Sequence, residues 1–192
     1  MEFVMKKLLV ALALTAGYAQ AAWQLDPAQS SLRFVTVKND VVAETHSFKQ
    51  LQGQWADDGQ FSVQIPVQGL DTMIPIRNER MLEHLFNASK FPQIKASGML
   101  DAGKIGALKT GAVHNEKVEL TLTIVDQTQK VTADISVVKL ADNRLLAFTK
   151  APVLVKATEF KLDGGVKKLQ DIAKLNRIEL VVPVSFDVQF SR

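Results

Sequence analysis

Residues 178–190 read IELVVPVSFDVQF, and the alternation in that stretch decides the fold class. Ile178, Leu180, Val182, Val184, Phe186, Val188 and Phe190 share one face, while Glu179, Val181, Pro183, Ser185, Asp187 and Gln189 share the other. A period of two sends successive side chains to opposite sides of an extended backbone, so this is a strand with one apolar face on a core. Pro183 has no N–H to give to a ladder, which places it at a bulge or where no neighbour stands on that side.

Moving towards the N-terminus, the same period recurs. Val118, Leu120, Leu122 and Ile124 alternate with Glu119, Thr121 and Thr123, and Val131, Ala133, Ile135 and Val137 with Thr132, Asp134 and Ser136. Asp126 to Lys130 joins these two as a hairpin. Phe61, Val63, Ile65 and Val67 alternate with Ser62, Gln64 and Pro66, after a turn at Asp57-Asp58-Gly59 and a strand ending near Trp55. Leu32, Phe34, Thr36 and Lys38 oppose Arg33, Val35 and Val37, a strand ambiguous as to its inner face. Ile94–Leu100 and Leu145–Ala157 complete the set.

Two segments change period. Between Arg77 and Phe86 the apolar residues Met81, Leu82, Leu85 and Phe86 fall on one side at helical spacing. Between Gly165 and Lys174 the inward set is Val166, Leu169, Ile172 and Ala173, with Asp163 as the expected cap. Both helices are short, as suits pieces that cover an opening in a sheet. The fold class is therefore all-β: an extended antiparallel β-barrel of about eight strands with two short helices, closed so that no edge is left exposed. A barrel of that size is either packed solid or holds one slender ligand, and periodicity leaves both open.

The chain opens MEFVMKKLLVALALTAGYAQAAW. Lys6 and Lys7 precede an apolar run from Leu8 to Ala16, and Ala19-Gln20-Ala21 has the small residues of a cleavage site, so residues 1–21 read as a secretory signal peptide. The run is too short for a stable membrane anchor, and no later stretch is long and apolar enough for a spanning helix. Residues 22–192 form one domain, and the expected location is the periplasm. With 47% apolar residues the chain can build a core, and with no Cys it folds on packing alone. Without Glu2, Lys6 and Lys7 the 23 basic and 20 acidic residues become 21 and 19, too weak and too scattered a positive charge for nucleic acid.

Three motifs then carry a resemblance. Trp23 to Phe34 reads WQLDPAQSSLRF; Arg77-Asn78-Glu79-Arg80-Met81-Leu82 leads to Lys90-Phe91-Pro92-Gln93-Ile94; Ala157-Thr158-Glu159-Phe160 is followed by a helix and by Val182-Pro183-Val184-Ser185-Phe186. In this order and spacing the chain resembles the YceI-like family of periplasmic, lipocalin-like, polyisoprenoid-binding proteins, over essentially the whole of residues 22–192. It departs from many relatives in having Val125-Asp126-Gln127 where they carry His-Gly-Val, and Lys156-Ala157-Thr158-Glu159-Phe160 where they carry an Arg-Ser-X-Phe-Gly element. The resemblance implies an apolar channel that binds or transports a polyisoprenoid lipid or the tail of an isoprenoid quinone. The residues expected along it are Phe34, Phe61, Val63, Met81, Leu85, Leu120, Leu122, Val184, Phe186 and Val188. A solid-cored, stress-related interaction protein is the alternative, and a homodimer stays open in either case.

Nothing in the sequence points to catalysis or to a cofactor. No two of His46, His84 and His114 have metal-site spacing, and there is neither a Gly-Xaa-Ser-Xaa-Gly elbow nor a phosphate-binding glycine loop. His84 belongs at a helix end, and His114 in an exposed polar loop. His46 reads as a solvated loop or early-strand residue, or else as a polar contact at a channel mouth.

Overall fold

The computed structural model describes residues 23–192; the expected signal peptide, residues 1–21, lies outside them. Eleven strands, three α-helices and two 3-10 turns follow one another among the described residues. The strands are β1 (Trp23–Lys38), β2 (Val42–Phe48), β3 (Gln52–Trp55), β4 (Gln60–Pro66), β5 (Leu70–Asp71), β6 (Gln93–Met99), β7 (Val113–Ile124), β8 (Gln127–Leu140), β9 (Arg144–Thr149), β10 (Val153–Lys156) and β11 (Val181–Ser191). The helices are α1 (Pro75–His84), α2 (Ala102–Gly106) and α3 (Asp163–Ile172).

Eight of the strands close a ring in the order β1–β3–β4–β6–β7–β8–β9–β11, and the antiparallel pairing of β11 with β1 seals it. The long strands β1 and β11 change partners along their length. β1 pairs with β3 at Trp23–Gln24 and with β2 from Leu32 to Lys38. β11 pairs with β9 from Asp187 to Ser191 and with β10 from Val181 to Val184. At the switch the Thr149 hydroxyl lies 3.3 Å from the Phe186 N–H and 3.4 Å from its carbonyl, serving both backbone groups where no strand does. The run read as one strand over Leu145–Ala157 is therefore broken at Lys150–Pro152, since Pro152 has no N–H for the ladder. The β1–β11 ladder stops at Phe34–Val184, and Pro183 is the next residue, as its missing donor requires.

The motif at the start of β1 is a bulge. Register shifts between Asp26 and Ser31, and side chains take over the ladder's work there. Ser30 Oγ donates to the Asp26 carbonyl at 2.6 Å and accepts the Gln189 N–H at 3.0 Å. Ser31 Oγ and Arg33 Nη2 both donate to Asp187 Oδ1, at 2.7 and 2.5 Å. The Asp-Pro and Ser-Ser pattern thus fixes where the closing ladder bends.

The barrel interior has two unlike halves. At the end where all eight strands join, the space is filled: Leu25 faces Phe190 across the ladder, Phe190 meets Trp55 edge-on at 5.8 Å, and Leu145 and Val137 are fully buried. Of the residues expected along a channel, Leu120 and Val188 belong to this packed part. At the other end β2, β5 and β10 splay from the ring, and α1 and α3 cover the gap. Gly165 lets the two helices touch, because a Cβ there would stand 2.6 Å from the His84 carbonyl oxygen.

Some local expectations need correction. A third, one-turn helix, α2, is present, capped by Asp101, which accepts the Lys104 N–H at 3.0 Å. Asp163 is the first residue of α3 and makes no side-chain cap. The β7–β8 hairpin turns tightly at Val125–Asp126 and does not use a longer loop; Val125 takes a left-handed φ of 58°. His114 lies on β7, half-buried, with Nε2 3.2 Å from Glu116 Oε2, and not in an exposed loop.

Candidate functional site

The splayed half of the barrel encloses a cavity of about 410 Å3 with an opening to solvent. Its walls come from alternate residues of the strands. β1 contributes Leu32, Phe34, Thr36 and Lys38; β2 contributes Glu44, His46 and Phe48; β4, β6 and β7 contribute Ile65, Ile94, Leu122 and Ile124; β11 contributes Val182 and Val184. Strand alternation explains each set, since the residues of each strand are spaced by two. The roof is the apolar side of the helices: Ile76, Met81, Leu85 and Phe86 from α1 and its end, and Val166, Leu169 and Ile172 from α3. A chain of rings lies along the cavity, Phe34–Phe48 at 5.6 Å and Phe48–Phe86 at 6.1 Å between centroids.

Five of the ten residues expected along a channel stand on this wall: Phe34, Met81, Leu85, Leu122 and Val184. Leu120 and Val188 are buried in the packed half. Phe61 and Val63 stand off the wall, further along β4, where the tip of the Phe61 ring comes within 2.7 Å of the place a Cβ on Gly98 would occupy. Phe186 is half-buried at the point where β11 changes partners, beside an outer groove with Arg33, Phe148 and Pro152. Sequence reasoning missed β2 and the apolar face of α3 as wall elements. The available signal for α3 was its apolar face on a short helix already read as covering an opening.

Polar groups gather at one rim. Glu44 Oε2 takes Lys38 Nζ at 2.5 Å and Arg77 Nη1 at 2.7 Å, and Arg77 Nη2 donates to the Thr72 carbonyl at 2.5 Å. The Lys38 hydrogen bond, reinforced by the Arg77 charge, holds the Glu44 carboxyl below its ordinary pKa. His46 is 4% exposed, with Nε2 2.9 Å from Thr36 Oγ1 and its ring 5.2 Å from that of Phe34. It is a buried wall residue and not a solvated loop histidine. Its Nδ1 and Arg77 Nε are buried without hydrogen-bond partners. Burial, then the nearby Arg77 charge, pushes the His46 pKa below its ordinary 6.5.

That shift gives a signed expectation. The unfolded chain protonates His46 near 6.5, and the folded chain only at lower pH. Between those points the unfolded state binds more protons, so stability falls as pH drops below 6.5 towards the folded value. Glu44, with its folded pKa lowered, adds a further loss at still lower pH. Thermal melting across this range should decline on acidification for wild type, and His46→Gln should flatten the upper part of the decline. An equally steep upper decline in the variant would clear His46 of the effect.

Among the described residues no three His, Asp or Glu side chains come together as a metal site, and no helix is long and apolar enough to cross a membrane. The cavity's chemistry is that of apolar contact, with one charged rim.

With that geometry in place, comparison with known proteins is informative. The YceI-like domain family matches residues 23–190. A polyisoprenoid binding domain from Saccharophagus degradans, implicated in plant cell wall breakdown, superposes with a TM-score of 0.86 at 29% identity, over 88% of this chain and 98% of that one. BcnA of Burkholderia cenocepacia shares the fold at 20% identity, with a TM-score of 0.66 over 86% of this chain and 98% of that one. The YCEI protein of Campylobacter jejuni does so at 13% identity, with a TM-score of 0.52 over 98% and 99% of the two chains. A comparison with curated proteins returned no match.

Proposed function

The chain belongs to the YceI-like domain family, and from that premise we propose that it binds an isoprenoid lipid, a polyprenyl chain or a quinone tail, in the cavity of its barrel and carries it in the periplasm without catalysing a reaction on it. One observation carries this reading. Helix α3 has no buried residue, although Val166, Leu169 and Ile172 point inward on its apolar side. An amphipathic helix normally covers that face with protein. Here the face meets open space, and a flexible hydrocarbon fills such space without asking for polar partners. Each methylene so buried adds roughly 0.8 kcal/mol. The Saccharophagus degradans domain, named for polyisoprenoid binding, supports the same ligand class.

The test is native mass spectrometry on full-length protein produced in an exporting bacterial host, followed by organic extraction. The expected result is a chain beginning at Ala22 with a prenyl lipid released in about one-to-one amount. Retention of residues 1–21 would overturn the export part of the reading. Protein that neither releases lipid nor takes up an added isoprenoid quinone would overturn the binding part, and would favour a protein that works through its surface.

A further inference from the structure

Apolar surface does not stop at the cavity opening. Ile74 and Ile76 line the cavity and are also 43% and 50% exposed to solvent. Val42, 46% exposed, lies on β2 two residues before Glu44, on the face that Glu44, His46 and Phe48 present to the cavity. The two most exposed large apolar side chains among the described residues, Val41 at 83% and Met73 at 82%, stand on the two turns that flank the same opening. Both turns are held in left-handed backbone: Asn39 and Asp40 at φ 48° and 66°, and Met73 at φ 63°, with the Met73 N–H bound to Asp71 Oδ1 at 2.9 Å. Asn39 and Asp40 take a left-handed φ readily and Met73 takes one with its N–H held by the Asp71 carboxylate, so both turns are defined structures that leave Val41 and Met73 in solvent.

We propose that the turns 39–42 and 73–76 form a docking rim for a lipid bilayer, with Val41 and Met73 entering the interface and the cavity opening between them. The proposal rests on the lipid reading of the cavity, since a prenyl cargo resides in a membrane and its apolar path out of the protein runs across this rim. Five side chains offer at most a few hundred Å2 of apolar surface, below the roughly 800 Å2 per partner of a standard protein interface. Reversible entry of a few apolar side chains into a bilayer interface has no such requirement. Most charges around the opening are mutually paired: Glu44 with Lys38 and Arg77, Arg177 with Asp40 and Glu179, and Asp71 with Lys49, which leaves Arg80 as the one lining cation outside these pairs among the described residues. The rim therefore engages bilayers by insertion, with little dependence on headgroup charge.

Delipidated protein is floated with phosphatidylcholine vesicles, and with vesicles containing phosphatidylglycerol, in low and high salt. Similar flotation in all four conditions is expected, and the double variant V41S/M73S should bind about tenfold or more weakly, with an unchanged melt because both side chains are already in solvent. Wild type that floats with neither vesicle, binding to anionic vesicles alone that salt abolishes, or a double variant that floats like wild type would each overturn the proposal. So would a concentration-dependent dimer dispersed by the same substitutions, which would make a second copy the occupant. Quinone uptake in detergent, without vesicles, keeps the two readings apart: wild type and V41S/M73S should load equally. If neither loads, the cavity reading fails while flotation still decides the rim.

Discussion

Phe190→Ala should cost about 3–5 kcal/mol of folding stability, and by the same amount whether lipid is present or absent. Phe190 is 3% exposed, packs on Trp55 at 5.8 Å, and pairs across the sheet with Leu25 on one side and Leu145 on the other. Those neighbours belong to the closed ring, where strands are hydrogen-bonded on both sides and cannot collapse into the space left behind. Leu85→Ala is the contrast. Leu85 is half-buried beside the end of α1 and faces the cavity, so much of its surface already lacks a protein partner. Its loss should lie below the roughly 2–4 kcal/mol of a fully buried leucine and should weaken lipid binding more than folding. Denaturant midpoints of the two variants, with and without isoprenoid, check the pair. Equal losses in the two variants would mean that the interior is uniform, against the division into packed and open halves.

Leu122→Gln should weaken isoprenoid binding by about ten- to a hundredfold while leaving the empty protein close to wild type. Leu122 stands on the cavity wall beside Ala96 in the β6–β7 register. In the empty cavity water can reach the new amide, but against a hydrocarbon the amide has no partner, a cost of roughly 1–3 kcal/mol. Thermal melting reads this directly. Ligand at a hundred times its Kd should add about 2.7 kcal/mol to the wild type, and at the same concentration distinctly less to the variant. A wild-type melt that no isoprenoid moves would sink the binding reading itself.

The strand most legible from sequence is β11, whose inner face is apolar throughout and which forms close to where alternation places it. β7 and β8 are legible only over 118–124 and 131–137, because His114 and Glu116, and Gln129 and Lys139, continue the same faces with polar residues. β2 is not legible for a physical reason. Its inner face carries Glu44 and His46 between Val42 and Phe48, so an apolar period never appears. Lys38 from the same hairpin and Arg77 from α1 neutralise Glu44, and Thr36 binds His46, so these polar groups are tolerated on an inner face through partners that alternation does not display. The divided interior was equally hidden. Leu120 and Leu122 are spaced by two on one strand and read alike, yet one packs in the closed half and the other faces open space. The difference lies in which strands splay, and that depends on the break at Pro152 and on the partner changes of β1 and β11. It also explains why Phe186, an inward residue by alternation, stands at a junction and not on the cavity wall.

The pairing of β1 with β11 has a consequence for timing. Gln24 meets Ser191, and Ser31 meets Asp187, so the ladder that seals the ring joins the first and last of the described strands. Local units such as the β7–β8 hairpin can form within a short length of chain, but closure must first overcome the entropy of a loop that contains almost everything else. A chain emerging from its N-terminal side therefore holds β1 as an unpaired edge on that side until residues 181–191 are free. For that interval it is an open sheet with an exposed apolar face, the form that chaperones can hold and that aggregation can capture.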